Sequence, residues 1–302
     1  MYDELDEFLK LIFERNPRQK SSIMKTMNLY FTEDDLIQLK EVLRFYRKTI
    51  SLDEIVDAYN LIVEDTTRET KYFLLHGKYR YSSFEETEKL VYSNYEYMSK
   101  YMVGLAISGY LWPNHIKVFH WYRSILHNHT GSHFLEVGPG HGRYFCEAVK
   151  QNGFSAYDAI DVSETSVAQT REYLCENLTK NQLEKCNVFL QNAYDYKPEI
   201  KYDFIVIAEV LEHLEKPDKM LELMNKISND NAFIYITVPV NAPAIDHIFL
   251  FETIDSVETM VTKAGYKIID RLYAAGGDME IEKAIKRKNA ILVGLLAKKD
   301  LL

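Results

Sequence analysis

The sequence predicts an α/β protein: a doubly wound, mostly parallel sheet of seven strands whose last strand runs antiparallel, preceded by an all-α N-terminal domain. Three observations carry this. From His133 onward, short apolar runs at 133–137, 157–161, 187–190, 203–208, 232–238, 267–273 and 290–297 alternate with stretches of helical apolar spacing at about 141–152, 164–177, 217–228 and 253–264. Alternation of this kind builds a parallel sheet covered on both faces. The last two runs are separated only by Ala274 to Asn289, with no covering helix of ordinary length, so the final strand is expected to turn back antiparallel. Before His133 the texture is helical throughout, which sets the expected boundaries at 1–130 and 131–302.

In the helical part, Leu5, Phe8, Leu9, Ile12 and Phe13 form one stripe that stops near Asn16-Pro17, where proline forbids continuation. A second helix begins after Thr32, with Asp35 three residues on as a near-capping box. A third opens at Ser51 with Glu54, a full capping box. A fourth opens near Ser82 or Ser83, capped by Glu85 or Glu86. It carries Leu90, Tyr92, Tyr95 and Tyr97 toward Trp112-Pro113, with a break expected at Gly104 or Gly109. A further helix covers about 114–127.

Composition narrows the function. The 302 residues are 47% hydrophobic and 27% charged, ordinary values for a globular protein. A formal net charge of −9 speaks against non-specific grip on a nucleic acid backbone, which is built on Lys and Arg. No apolar run reaches the ~20 residues needed to span a bilayer, and residues 1–15 lack the basic start of a secretory signal. Cys146, Cys175 and Cys186 are odd in number and without metal-like spacing, which points to a reducing compartment. A cytoplasmic protein without membrane or nucleic acid partners is the expectation, with a homodimer through the helical domain as its possible assembly.

The chemistry concentrates at HFLEVGPGHGRYFCEAVKQNGFSAYDAID, residues 133–161. A strand runs into Gly138, Gly140 and Gly142, a turn that no Cβ crowds, and then into a helix and a second strand ending at Asp161. That is the layout of a nucleoside cofactor site, with a carboxylate placed for ribose hydroxyls. The spacing is G-x-G-x-G, and Glu136 precedes it. A carboxylate there repels a pyrophosphate and suits a positively charged cofactor.

The turn with its leading acid resembles the first motif of the class I S-adenosylmethionine-dependent methyltransferases, whose Rossmann-like sheet ends in an inserted antiparallel strand. The segment YDFIVIAEVLEHLEKP, residues 202–217, resembles the fourth motif of the small-molecule members. The resemblance covers 133–297 and implies S-adenosyl-L-methionine as cofactor, with S-adenosyl-L-homocysteine as product. It implies that Asp161 takes the ribose hydroxyls, with Val162 beside it; the lesser alternative is that Asp161 caps the helix that starts near Ser163. Asn192, with Ala193, stands where the family usually places an Asp for the adenine amino group, and Glu209 emerges beside the cofactor. Relatives use helices before the first strand as a lid, which makes Tyr97, Tyr101 and Trp112 lid candidates and Tyr92 and His115 weaker ones. Tyr97 and Tyr101 are expected on the cofactor side, Trp112 and His115 on the acceptor side. At helical spacing these aromatics also suit a plain core.

His213 is the candidate general base, because an imidazole titrating near neutrality suits a hydroxyl or phenol acceptor. His247, with Asp246, follows the fifth strand and is expected to reach the same pocket. The expected reaction is methylation of an oxygen or nitrogen on a sugar, secondary metabolite or quinone-like molecule, without a metal. Two alternatives stand beside it. E-x-x-E-H at 209–213 plus a later His resembles the metal site of small-RNA 3′-end 2′-O-methyltransferases, in which case Glu209, Glu212, His213 and His247 are the ligands of Mg²⁺ or Mn²⁺. A non-catalytic cofactor-binding scaffold is the other.

Overall fold

The computed structural model describes residues 4–300, and the side chains of Leu90 and Tyr92 lie outside that description, so the lid role suggested for Tyr92 does too. Seven helices come first: α1 (Glu4–Arg15), α2 (Gln19–Tyr30), α3 (Glu33–Arg47), α4 (Leu52–His76), the short α5 (Phe84–Thr87), α6 (Tyr95–Leu111) and α7 (Pro113–His127). The sheet follows, with β1 (Gly131–Val137), α8 (Arg143–Gln151), β2 (Phe154–Asp161), α9 (Glu164–Asn177), the short α10 (Lys180–Leu183) and β3 (Cys186–Leu190). Then come β4 (Tyr202–Ala208), α11 (Pro217–Ile227), β5 (Ser228–Val240), α12 (Ile254–Lys263), β6 (Tyr266–Ala275), α13 (Ile281–Arg287) and β7 (Ile291–Lys299).

The strand order is β3-β2-β1-β4-β5-β7-β6. β1 pairs parallel with both β2 and β4, while β7 runs antiparallel between β5 and β6. The doubly wound sheet with its antiparallel last strand is therefore as expected. The chain reverses direction across the sheet between β1 and β4, and that switch point opens a crevice at the strands' carboxyl ends.

Both expected capping boxes form: Thr32 with Asp35, and Ser51 with Glu54. Two local expectations fail. α2 is absent from the sequence pattern, because it buries only Ile23 and Thr26 and its apolar stripe is correspondingly faint. The long fourth helix breaks at Ser93-Asn94, where a π-helical turn over Glu88–Tyr92 ends and Asn94 caps α6. It does not break at Gly104. A Cβ there would stand 2.3 Å from Ile62 Cγ1 and 2.4 Å from the Ala58 carbonyl oxygen, so this glycine exists to let α6 cross tightly over α4. Between β6 and β7 stands only the seven-residue α13, short of a covering helix of ordinary length, as expected.

One buried apolar cluster runs without interruption from Leu5, Phe8 and Ile12 through Tyr59, Phe119 and Tyr122 to Phe134, Phe204 and Tyr235. The helices are thus packed into the same interior as one face of the sheet. Tyr122 donates to the Tyr144 carbonyl at 3.1 Å, and Tyr235 donates to the Val118 carbonyl at 3.2 Å, which fixes α7 against α8 and β5. A second cluster on the other face joins α11 and α12 to β4–β7. No helix among the described residues is long and apolar enough to cross a membrane.

Candidate active site

The carboxyl ends of β1, β2, β4 and β5, the loop after β3, and the facing sides of α6 and α7 enclose one cavity of about 1150 Å³. That exceeds the ~300–1,000 Å³ typical of a single small-ligand site, so a nucleoside cofactor and an acceptor fit together. Lining it are Glu136, Gly138, Gly140, Asp161, Val162, Asn192, Ala193, Glu209, Glu212, His213, Asp246 and His247 from the sheet side. Tyr101, Trp112 and His115 line it from the helices.

β1 delivers Glu136 into the crevice only 2% exposed, and its Oε2 has no hydrogen-bond partner among the described residues. Burial, and then the charge of Asp161, hold its carboxyl well above the usual range. A buried acid without a donor is costly until a cation or a donor arrives. Gly138 follows at φ 70°, in the left-handed region, and a Cβ on it would lie 2.6 Å from Val210 Cγ2. The turn therefore tolerates only glycine here and leaves its backbone open to a ligand. Asp161 accepts from the Ser163 amide at 2.9 Å and more loosely from Gly140 at 3.4 Å. The cap of α9 is Ser163, whose hydroxyl accepts from the Ser166 amide. Asp161 instead ties the end of β2 to the glycine turn. Asn192 accepts from the Tyr194 amide at 2.9 Å, so its carbonyl oxygen is partly engaged by its own turn.

Across the crevice, β4 ends in a strained residue. Glu209 adopts φ 55°, its amide donating to the carbonyl and hydroxyl oxygens of Thr237, whose hydroxyl in turn donates to Glu209 Oε1 at 2.8 Å. Non-glycine residues are held at such angles at a cost of order 1–3 kcal/mol, commonly at functional sites. Burial pushes the Glu209 carboxyl up to about 7. Three residues on, Glu212 is fully buried with neither oxygen hydrogen-bonded among the described residues, and burial together with the Glu209 charge raises its carboxyl well above the usual range.

The strap after β5 brings Asp246 and His247 against this pair. His213 Nδ1 lies 3.0 Å from the Asp246 carbonyl oxygen, and His247 Nδ1 lies 2.7 Å from that of Ala242. A carbonyl only accepts, so both Nδ1 atoms carry the proton and both Nε2 atoms present lone pairs. Those Nε2 atoms stand 3.7 Å and 3.9 Å from Glu212 Oε1. Burial, and then the nearness of His213, lower His247 to about 4, so it is neutral at physiological pH. Asp246 also accepts from the Tyr101 hydroxyl at 2.9 Å, which ties α6 to the strap after β5.

Two candidates fall elsewhere. Tyr97 does not line the cavity: it stacks on Tyr101, and its hydroxyl donates to Asp65 on α4. Gly142 starts α8, and a Cβ there would crowd Thr170 and Tyr173 at 3.3–3.5 Å, so its service is close packing of α8 on α9. Conversely, Arg143, His141 and Tyr144 line the cavity without having been singled out by the sequence pattern. The first two sit inside the H-G-R of the glycine turn itself, and their polarity beside a ligand-facing backbone was the available signal.

A crevice at a sheet's switch point, with a glycine turn at its floor and the carboxylates of Glu136 and Asp161 at two strand ends, lies where open α/β sheets bind their ligands. The sequence model of the family described as "Methyltransferase domain" matches residues 117–270, about half of the chain. The chain belongs to this family and is a class I S-adenosylmethionine-dependent methyltransferase.

A ubiquinone biosynthesis O-methyltransferase, mitochondrial, from Dictyostelium discoideum is 23% identical over 124 residues. That match spans 39% of this chain and 38% of that protein. Among solved structures, a putative sarcosine dimethylglycine methyltransferase from Galdieria sulphuraria shares the fold. It has a TM-score of 0.50 at 13% identity, over 60% of this chain and 84% of that one. N-methyltransferase NodS from Bradyrhizobium japonicum gives a TM-score of 0.46 at 15% identity, over 61% and 85% of the two chains.

Proposed function

We propose that the chain methylates an oxygen or nitrogen of a small molecule such as a sugar, a secondary metabolite or a quinone-like compound. The observation that carries the cofactor half is Glu136: a buried, unpartnered carboxylate at the mouth of the glycine turn, facing Asp161. It fits the ammonium and sulfonium of S-adenosylmethionine, which supplies an electrophilic methyl group. Asp161 offers two acceptor oxygens to a vicinal diol. Tyr101 and Trp112 close the cavity from the helices and exclude water. His213, its Nδ1–H held by the Asp246 carbonyl, presents Nε2 as the base that removes the acceptor's proton. A net charge of −9 and an acid-lined cavity argue for a small molecule over an RNA end.

Calorimetry with S-adenosylhomocysteine tests the cofactor half. Asp161→Ala is expected to lose roughly 10–100-fold in affinity, the worth of one charge-assisted hydrogen bond at about 1.5–3 kcal/mol. No binding by the wild type sinks the reading, and unchanged affinity in the variant sinks the ribose role alone.

A second reading rests on one observation: Glu212, His213 and His247 present ligand atoms all within 4.8 Å of one another. With both Nε2 lone pairs aimed at an unpartnered carboxylate, the set fits a divalent cation of the Mn²⁺ or Mg²⁺ type, with Glu209 close behind. Such an ion would polarise an acceptor hydroxyl and lower its pKa. Enzyme stripped with EDTA is expected to lose turnover and regain it with Mn²⁺ if this holds. Full turnover after stripping leaves proton transfer to His213.

A further inference from the structure

The acids of the cavity have a counterpart that neither reading above uses. Arg143, the first residue of α8, is 4% exposed and lines the cavity. Its guanidinium carbon lies 3.5 Å from the centroid of the Tyr110 ring and 3.7 Å from that of Phe119. Nη1 donates to the Gly109 carbonyl at 2.8 Å. This accounts for the two faces of the guanidinium and for one of its nitrogens. Nε and Nη2 remain buried with no hydrogen-bond partner, and no carboxylate pairs with the group among the described residues. A guanidinium carries five N–H donors in a flat fork that matches a carboxylate. A buried cation held by rings, with one side of its fork unanswered, is prepared for an anion.

Its surroundings agree. His115 and His141 line the same part of the cavity, and both are held neutral, so they add donors without competing charge. His115 stands edge-on to Trp112, with ring centroids 5.4 Å apart. We propose that Arg143, flanked by His115 and His141, is a carboxylate-binding subsite, an assignment that rests on the methyltransferase reading. Two sources offer the carboxylate. One is the methionine end of the cofactor, whose ammonium and carboxylate share one carbon, as Glu136 and Arg143 share the two ends of one turn. The other is an acceptor bearing an acid group against the wall that contains Trp112.

Calorimetry separates them. In the first arm, S-adenosylhomocysteine is compared with its decarboxylated analogue on wild type and Arg143→Met. In the second, benzoate and benzamide are titrated into the wild-type S-adenosylhomocysteine complex and into that of Arg143→Met. An at least tenfold preference for the carboxylate in the first arm, erased by Arg143→Met, assigns the subsite to the cofactor. The same pattern confined to the second arm assigns it to an acidic acceptor. Should wild type show no carboxylate preference in either arm, the subsite does not exist and Arg143 only fastens α8 to α6 and α7. That outcome is read on wild type alone, so misfolding of Arg143→Met cannot obscure it. Failure of S-adenosylhomocysteine itself to bind would instead strike the cofactor reading.

Discussion

Glu212→Gln is expected to raise the melting temperature of the cofactor-free protein at pH 8 while cutting turnover on the order of 10²-fold or more. The two effects share a cause. Glutamine keeps the volume and deletes a charge that is fully buried, unpartnered and next to Glu209. In the folded protein the carboxyl of Glu212 titrates above its unfolded value. Stability from its protonated form is therefore fully present below about pH 4.5, and is lost as pH rises through the folded value. Glu209, raised to about 7, moves in the same direction, so the loss extends across neutral pH. The gain in the variant should be small at pH 5 and reach about 1–3 kcal/mol at pH 8, at roughly 2–4 °C per kcal/mol. Turnover falls because either use of the site, as base or as metal ligand set, draws on this carboxylate beside two Nε2 atoms. Melting curves from pH 5 to pH 8 decide it. A variant that melts below wild type at pH 8 would show that Glu212 is compensated after all.

Gly138→Ala is the second large effect. The left-handed φ of 70° costs an L-residue about 1–2 kcal/mol, and a Cβ 2.6 Å from Val210 Cγ2 adds an overpacking cost of about 1–3 kcal/mol. Val210 is stiff at χ1 and follows strained Glu209, so relief must come from moving one turn or the other. Either movement displaces groups that face the cofactor, and a misplacement near 1 Å is worth about 10²-fold. S-Adenosylhomocysteine affinity is expected to fall by that order, with stability down roughly 2–5 kcal/mol. Val210→Ala in the same chain should restore part of the stability, because it removes the clash and leaves the dihedral. Gly140→Ala should destabilise less, since its nearest neighbour would be Met102 Cε at 3.6 Å. Wild-type affinity in Gly138→Ala would refute this account of the turn.

The sheet is legible in the sequence because its inner strands, buried on both faces, write themselves as apolar runs, and each of the seven expected segments, the more exposed edges β3 and β6 included, falls on a strand. α2 is not, because a helix that buries little leaves little periodicity. Gly104 shows a deeper limit: a glycine in a helical pattern reads as a break, whereas its meaning lies in Ala58 and Ile62, dozens of residues away on α4. In the site, Glu136, Asp161, Glu209 and Glu212 are legible as strand ends, since strand order alone gathers them. The meeting of His213 with His247 is legible for the same reason. Tyr97 is not separable from Tyr101 by pattern, because the two lie four apart on one helix face. Only the packing of α6 sends one hydroxyl to Asp65 and the other to Asp246. That Arg143 keeps half of its fork unanswered is a property of three dimensions.

The uninterrupted interior that joins Leu5 to Tyr235 also bears on how such an enzyme can change its acceptor. A helical cap held by a thin interface could be exchanged whole, as a cassette, leaving the catalytic unit intact. Here Tyr122 and Phe119 are at once part of the cap and part of the sheet's flank, so exchange would strip the sheet. Under the proposed function, specificity would drift instead by single replacements along the inner wall, at Met98, Met102 and Leu105, which line the cavity. Two of these are methionine, whose unbranched chain adapts to a new neighbour without disturbing the old ones.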